Sequence, residues 1–124
     1  MGKKKNKVFL SRHVLGVTDL AASVDFYINV LGFSRDFTAP GWEFLSLGKF
    51  HLMLGECPNE APAHTIGDHA YFAYLHVKDA AALAESFRAN GAIFRQDVVD
   101  KPWGMREFEI ETPDGHRMVI GEEL

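Results

Sequence analysis

The side chains with the clearest chemical potential in this chain are two histidines and a single cysteine. His51 and His76 fall within apolar runs, and an imidazole can exchange protons because it titrates near neutrality. Neither has a partner at a recognisable spacing, so we interpret both as polar lining of a binding site rather than as acid–base groups. Cys57 precedes Pro58, and no base that would activate its thiol can be placed, so we interpret it as inert. No catalytic residue is therefore assigned.

Composition narrows the class of protein. The 124 residues, 47% hydrophobic and 24% charged, fit one globular domain. A net charge of −4 argues against a nucleic-acid partner, which needs a basic surface, and slightly favours a cationic ligand. The single cysteine excludes an intramolecular disulfide, so a reducing, cytoplasmic setting is expected. No apolar run approaches the roughly 18 residues of a membrane span, and the basic tail 1–7 lacks the apolar segment of a secretory signal.

An internal repeat organises the chain. Ser11–Phe33 recurs in altered form as Ala70–Ile93, with Val17 and Val77, Asp19 and Asp79, Tyr27 and Phe87, and Phe33 and Ile93 each 60 residues apart. Each copy predicts a strand, an Asp N-cap, an amphipathic helix and an exit marked by glycine. The first copy places the strand at Lys7–Val17 and its helix between Asp19 and Gly32; the second helix runs from Asp79 to Asn90-Gly91.

The strands after each helix repeat as well. LMLGE at 52–56 matches MVIGE at 118–122. Alternation and turn residues predict strands at Trp42–Leu47, Phe50–Leu54, Ile93–Val99, Met105–Glu111 and Arg117–Gly121. The chain therefore divides into two βαβββ modules, 8–56 and 69–122, joined by the linker 57–68 within a single domain. One helix covers one face of each sheet, so the natural ligand site is a cleft between the modules.

Two motifs in this order resemble the vicinal oxygen chelate superfamily, also called the glyoxalase, bleomycin resistance and extradiol dioxygenase superfamily. They are VTDLAASVDFYINVLGF in the first half and WGMREFEIETPDGHRMVIGE in the second. The resemblance implies an α+β fold in which two βαβββ modules form curved mixed sheets around a cleft. It also implies a homodimer. It does not decide activity, because this fold carries both enzymes and binding proteins.

The resemblance also implies four metal-ligand positions, on the first and last strand of each module. Carried over one at a time, they fall on Arg12, Met53, Phe72 and Val119. None of these supplies an oxygen, imidazole or thiolate ligand, and one thioether does not make a site. We therefore expect no metal and no other cofactor.

Strand alternation predicts the side chains that line the cleft. Phe72, Tyr74 and His76 share one face of their strand, and Glu109 faces the same side as Arg117. Trp103 follows Pro102 in a turn, where a large aromatic residue is less often part of a core. For Arg12, pairing with Glu109 or another carboxylate and pairing with a ligand carboxylate or phosphate both remain open. The predicted ligand-binding residues are Arg12, His51, Met53, Phe72, Tyr74, His76, Trp103, Glu109, Arg117 and Val119.

Aromatic walls with a few charges resemble the bleomycin resistance branch of the superfamily. The leading hypothesis is a metal-independent protein that sequesters a flat, cationic aromatic compound, because ring faces attract cations. The alternative is a lyase, isomerase or dioxygenase of the same superfamily. A third hypothesis is a ligand-sensing or partner-binding module with a vestigial cleft.

Overall fold

The structure, a computed structural model, describes residues 10–59, 61 and 71–124 and contains two four-stranded mixed sheets. The elements are β1 His13–Val17, α1 Leu20–Asp25, the π-helical turn Phe26–Val30, β2 Ser34–Ala39, β3 Trp42–Leu47, β4 Phe50–Glu56, β5 Tyr71–His76, α2 Ala80–Ala89, β6 Ile93–Asp100, β7 Met105–Glu111 and β8 Arg117–Glu123.

The strand order is β1-β4-β3-β2 in the first sheet and β5-β8-β7-β6 in the second. In each sheet the first and last strands of the module pair in parallel (β1 with β4, β5 with β8), and the other pairs are antiparallel. The predicted architecture of two βαβββ modules is confirmed.

Several predicted boundaries differ from those in the structure. β1 begins at His13, because residues 10–12 precede the first paired position, and the rest of the predicted first strand and the basic tail 1–7 lie outside the described residues. Much of the linker 57–68 and the start of the second module at 69–70 also lie outside them. The sequence does not predict the bounds of the edge strand β2. This strand is exposed along almost its whole length, so it has no alternation of buried and exposed residues.

Both helices start as the sequence predicts. The Asp19 carboxylate accepts a hydrogen bond from the Ala22 amide at 3.0 Å, and Asp79 accepts one from Ala82 at 3.1 Å. These caps satisfy amides that the first helical turn leaves without partners. The equivalent caps confirm that the repeat is structural as well as sequential.

The repeat loses its constant spacing at the end of the first helix. The Phe33 amide bonds to the Tyr27 carbonyl, whereas in the second module the Ala92 amide, not that of Ile93, bonds to the Phe87 carbonyl. The first module therefore holds one extra residue, which the π-helical turn Phe26–Val30 accommodates by its wider winding. The predicted correspondence of Phe33 with Ile93 is wrong for this reason, and Ile93 is exposed while Phe33 is buried.

The core lies between each sheet and its helix. Leu45, Leu52 and Leu54 of the first sheet are fully buried, and so are Phe108, Ile110, Met118 and Ile120 of the second. On these strands aliphatic or aromatic side chains occupy every second position, as predicted from alternation. No helix in the described part of the chain is long and apolar enough to cross a membrane.

The two modules are joined through the turn between β7 and β8. Buried Asp114 accepts hydrogen bonds from the amide of Thr18 at 2.8 Å and from its hydroxyl at 2.6 Å, across 96 residues of sequence. Gly115 follows with a φ of 85° and bonds back to Thr112, so glycine supplies a conformation that other residues adopt rarely. The TPDG turn thus has a structural role and links the two modules.

We expect Asp114→Ala to lower the free energy of unfolding by about 1–3 kcal/mol, because two partly buried Thr18 donors lose their acceptor. Urea denaturation followed by circular dichroism measures the change. Thr18→Ser is the matched control, since serine keeps both donors and should stay close to wild type. An unchanged urea midpoint for Asp114→Ala would show that the modules are held together elsewhere.

Candidate functional site

Each sheet has an open face, which we define as the face turned away from its helix. On the first sheet the open face carries Val14, Phe37, Trp42, Phe44, His51 and Met53, aligned across the strands by the pairs Val14–Met53, Met53–Phe44 and Phe44–Phe37. Val14 is 58% exposed and Phe37 60% exposed. Apolar side chains of this size clustered on one surface usually mark a place where a ligand or another chain binds.

The open face of the second sheet is richer in polar and aromatic groups. Cross-strand pairs align Tyr74 with Val119 and Glu109, and Tyr71 with Arg117 and Glu111. Arg117 lies over the Tyr71 ring with its guanidinium carbon 5.3 Å from the ring centroid. Of the predicted ligand-binding residues, the structure therefore brings together Tyr74, Glu109, Arg117 and Val119, with His76 and Trp103 beside them.

A nearly buried carboxylate stands at the centre of this second face. Glu107 is 6% exposed, and its Oε2 accepts hydrogen bonds from the Tyr74 hydroxyl at 2.7 Å and from the Trp103 indole nitrogen at 2.9 Å. Desolvation raises the pKa of Tyr74 to about 12, and the hydrogen bond and negative charge of Glu107 act in the same direction. The phenol therefore stays protonated near neutrality and serves as a hydrogen-bond donor, not as a general base.

The Trp103 ring already interacts with a cation of the protein. The Lys101 ammonium lies 5.4 Å from the centroid of that ring and also donates a hydrogen bond to Gln96 at 2.9 Å. Trp103 itself is 63% exposed, so much of the ring is accessible.

Glu107 is not among the predicted ligand-binding residues. Alternation places it on the same face as Glu109, but alternation does not reveal which carboxylate is covered by aromatic side chains.

Glycine is required beneath Tyr74. A Cβ atom on Gly121 would overlap the Tyr74 hydroxyl and lie 2.7 Å from its Cζ, so any other residue would push the phenol away from Glu107. The equivalent glycine of the first module, Gly55, lies under Trp42, whose Cη2 would be 2.8 Å from such a Cβ. Both modules thus use a glycine of the last strand to let an aromatic ring lie flat across the open face.

Phe72 does not lie where alternation predicts. The pairing of β5 with β8 shifts between Tyr71 and Ala73, so a bulge at Phe72 interrupts the alternation. The Phe72 ring packs instead against the core, 6.5 Å from Phe50 and 5.8 Å from His116. Tyr71 takes the position on the open face that the sequence assigned to Phe72.

Arg12 and His51 lie at one end of the first open face. The Arg12 guanidinium carbon is 5.1 Å from the Phe44 ring centroid, and His51 pairs across the strands with Ser46. Among the described residues, no carboxylate forms an ion pair with Arg12, so the predicted pairing with Glu109 is not found. Glu109 instead accepts a long hydrogen bond, 3.4 Å, from the Tyr71 hydroxyl.

The four positions that match the metal site of related enzymes do not suit a metal. Met53 is flanked by Val14 and Phe44, and Val119 by Tyr74 and Glu109. In the part of the chain that the structure describes, no group of three or more His, Cys, Asp or Glu side chains could hold a metal ion. Since a divalent cation needs several such ligands, the residues present do not form the family's metal centre.

The described residues of one chain enclose neither open face. The larger cavity, about 590 Å³, lies on the helix side of the first sheet and is lined by residues that include Val24, Ile28, Arg35, Glu43 and Glu56. Its polar groups are already paired, for example Arg35 with Glu43 at 3.3 Å. A smaller cavity of about 310 Å³ lies at the junction of the modules and includes Tyr74 and His76. The described residues of this chain thus do not close the cleft predicted between the modules.

Comparison with known proteins identifies the same fold. A family model described as the Glyoxalase/Bleomycin resistance protein/Dioxygenase superfamily matches residues 10–120. Similar solved structures include TioX from Micromonospora sp. ML1 (24% identity, TM-score 0.77, covering 93% of this chain and 98% of that chain). TnmS3, an antibiotic binding protein from Streptomyces sp. CB03234, has 20% identity and a TM-score of 0.79, with 98% and 100% covered. A glyoxalase-related enzyme from Clostridium phytofermentans has 18% identity and a TM-score of 0.76, also with 98% and 100% covered. No curated protein matches the sequence significantly.

We expect Gly121→Ala to destabilise the protein by about 1–3 kcal/mol, since the new methyl group displaces Tyr74 from Glu107. In a Tyr74→Ala background the same substitution should cost less than about 0.5 kcal/mol, because nothing remains to be displaced. Urea unfolding of the four proteins in this double-mutant cycle gives the coupling free energy. Equal costs in both backgrounds would show that Tyr74 does not lie over Gly121.

Proposed function

We propose that this chain, which belongs to the Glyoxalase/Bleomycin resistance protein/Dioxygenase superfamily, is a metal-independent protein that binds and sequesters a flat, cationic aromatic compound. The observation that carries this proposal is Glu107, a carboxylate with 6% exposure held between the Tyr74 hydroxyl and the Trp103 indole. A carboxylate shielded from water attracts a cation more strongly than one in bulk solvent.

The groups around Glu107 suit a cation that is part of a ring system. Oε2 of Glu107 holds both hydrogen bonds, and Oε1 has no hydrogen-bond partner among the described residues. The ring faces of Trp103 and Tyr74 beside it attract positive charge, and a desolvated cation–ring pair can contribute about 2 kcal/mol. Lys101 over the Trp103 ring is an internal example of the same interaction.

A second copy of the chain would complete the site. The open faces carry exposed Val14, Phe37, Tyr71 and Trp103, and no part of the described chain encloses them. In the proposed homodimer, the first open face of one copy packs against the second open face of the other, and a flat ligand lies between them. Two equivalent sites then form in each dimer, as two-fold symmetry requires.

Binding is favoured over the enzymatic alternative by the chemistry of the site residues. The positions of the family's metal ligands carry no suitable donors, and the raised pKa of Tyr74 removes it as a base near neutrality. The fold alone does not decide, since similar structures include both the antibiotic binding protein TnmS3 and a glyoxalase-related enzyme. TnmS3 shows that a chain of this fold can bind an antibiotic, which supports the proposal.

We expect 9-aminoacridine, a flat cation at pH 8, to bind more tightly than acridine, which has a similar shape but is neutral at that pH. Glu107→Gln should weaken binding of the cation by about tenfold or more, because the buried counter-charge is lost. Isothermal titration calorimetry measures both affinities. The control is Glu85→Gln, which makes the same chemical substitution at an exposed carboxylate on α2. This variant should leave the affinity unchanged.

The proposal predicts a clear preference for the charged compound that depends on Glu107. Equal binding of acridine and 9-aminoacridine, or an unaffected Glu107→Gln variant, would show that Glu107 does not select the ligand. No binding of either compound would contradict a site for flat aromatic ligands.

A further inference from the structure

We infer that the ligand also carries an anionic oxygen, such as a carboxylate, and that Arg12 and His51 bind it. This inference rests on the proposed function and extends it from a cationic ligand to a zwitterionic one. It is carried by buried polar atoms on the open faces that have no hydrogen-bond partner among the described residues.

Unpartnered polar atoms in the described residues are concentrated on the open faces. Among the described residues, four buried side-chain nitrogen or oxygen atoms have no hydrogen-bond partner: Arg12 Nη1, His51 Nδ1, Gln96 Nε2 and Tyr27 Oη. The first three belong to the open faces, since His51 pairs with Ser46 and Gln96 pairs with Glu109 across the strands. A buried donor without a partner costs free energy, so such groups usually find an acceptor when a binding site is complete.

Arg12 lies immediately before β1, at the level of His51. The parallel pairing of β1 with β4 begins at His13 and Leu52, so the same register continued by one residue places Arg12 beside His51. Phe44 lies beneath the guanidinium at 5.1 Å and restricts its orientation. A guanidinium held over an aromatic ring and an imidazole at the same level of the sheet could bind the two oxygens of one carboxylate.

Arg12 differs from other arginines of the protein in its pairing. Arg35, Arg88, Arg95 and Arg106 each form an ion pair with a carboxylate. Arg12 forms none with the described residues, although its Nη1 is inaccessible to water. A guanidinium keeps its charge at any physiological pH, so an inaccessible Nη1 that has no counter-ion among the described residues favours binding of an anion.

An anionic oxygen fits these donors better than a neutral acceptor. The guanidinium presents paired N–H groups in the geometry of a carboxylate, and charge-assisted bonds of this kind are about twice as strong as neutral ones. His51 Nδ1 can donate in one neutral tautomer and in the imidazolium form. Because Glu107 lies on the other sheet, the ligand would have its anionic and cationic groups on different parts of its ring system.

The test compares two probes, 9-aminoacridine and 9-aminoacridine-2-carboxylate, by isothermal titration calorimetry; in the second probe the carboxylate is too far from the ring nitrogen to pair with it. We expect the carboxylate to bind the wild-type protein about tenfold more tightly, as one additional charge-assisted contact would give. Arg12→Met should remove this preference and bring the ratio of the two affinities close to one. Arg12→Lys keeps the charge without the planar fork, and should retain part of the preference.

Arg35→Met is the matched control, because Arg35 belongs to the same sheet but pairs with Glu43 on the helix side. This variant should keep the full preference for the carboxylate. Equal affinities of the two probes for wild type, or a preference that survives Arg12→Met, would overturn the inference and leave the proposed function standing. Binding of neither probe would overturn both.

Discussion

Alternation of side chains along eight strands is the constraint on which the rest of this structure depends. Successive residues of a strand point to opposite faces, so a strand that supplies Leu52 and Leu54 to the core also presents His51 and Met53 on the other side. One short helix covers one face of each four-stranded sheet. No described helix covers the open face of either sheet, and these two faces carry the residues on which the proposed function rests.

The uncovered faces differ in charge, and this difference accounts for the proposed ligand. The first face holds Arg12 and His51 with unpartnered polar atoms, and the second holds Glu107 beneath two aromatic side chains. Gly55 and Gly121 occupy equivalent positions and allow a ring to lie across each face. The two modules therefore share one backbone fold but differ in their charged groups, with Arg12 on the first open face and Glu107 on the second. This difference suits a ligand with groups of both charges bound between the faces.

Much of the fold could be predicted from the sequence, because the decisive signals are local or periodic. Asp19 and Asp79 cap helices, and the paired faces of β4, β7 and β8 follow from alternation. Two predictions failed where one residue interrupts a period: the bulge at Phe72 moves Tyr71 onto the open face, and the π-helical turn displaces Ile93 from the position of Phe33. The role of Asp114 between the modules and the burial of Glu107 depend on contacts between distant segments, which no local pattern contains.

The central claim is that one binding site combines the first open face of one copy with the second open face of another. Co-expression of a Met53→Arg chain, whose new positive charge repels the cationic probe, and a Glu107→Gln chain with different tags, followed by purification of the mixed dimer, tests it most directly. Each parent homodimer has two damaged sites, whereas the mixed dimer has one site with both changes and one with neither. Calorimetry with 9-aminoacridine should then give one site of wild-type affinity per mixed dimer. The absence of any wild-type site in the mixed dimer, or a purely monomeric protein that still binds, would contradict the account.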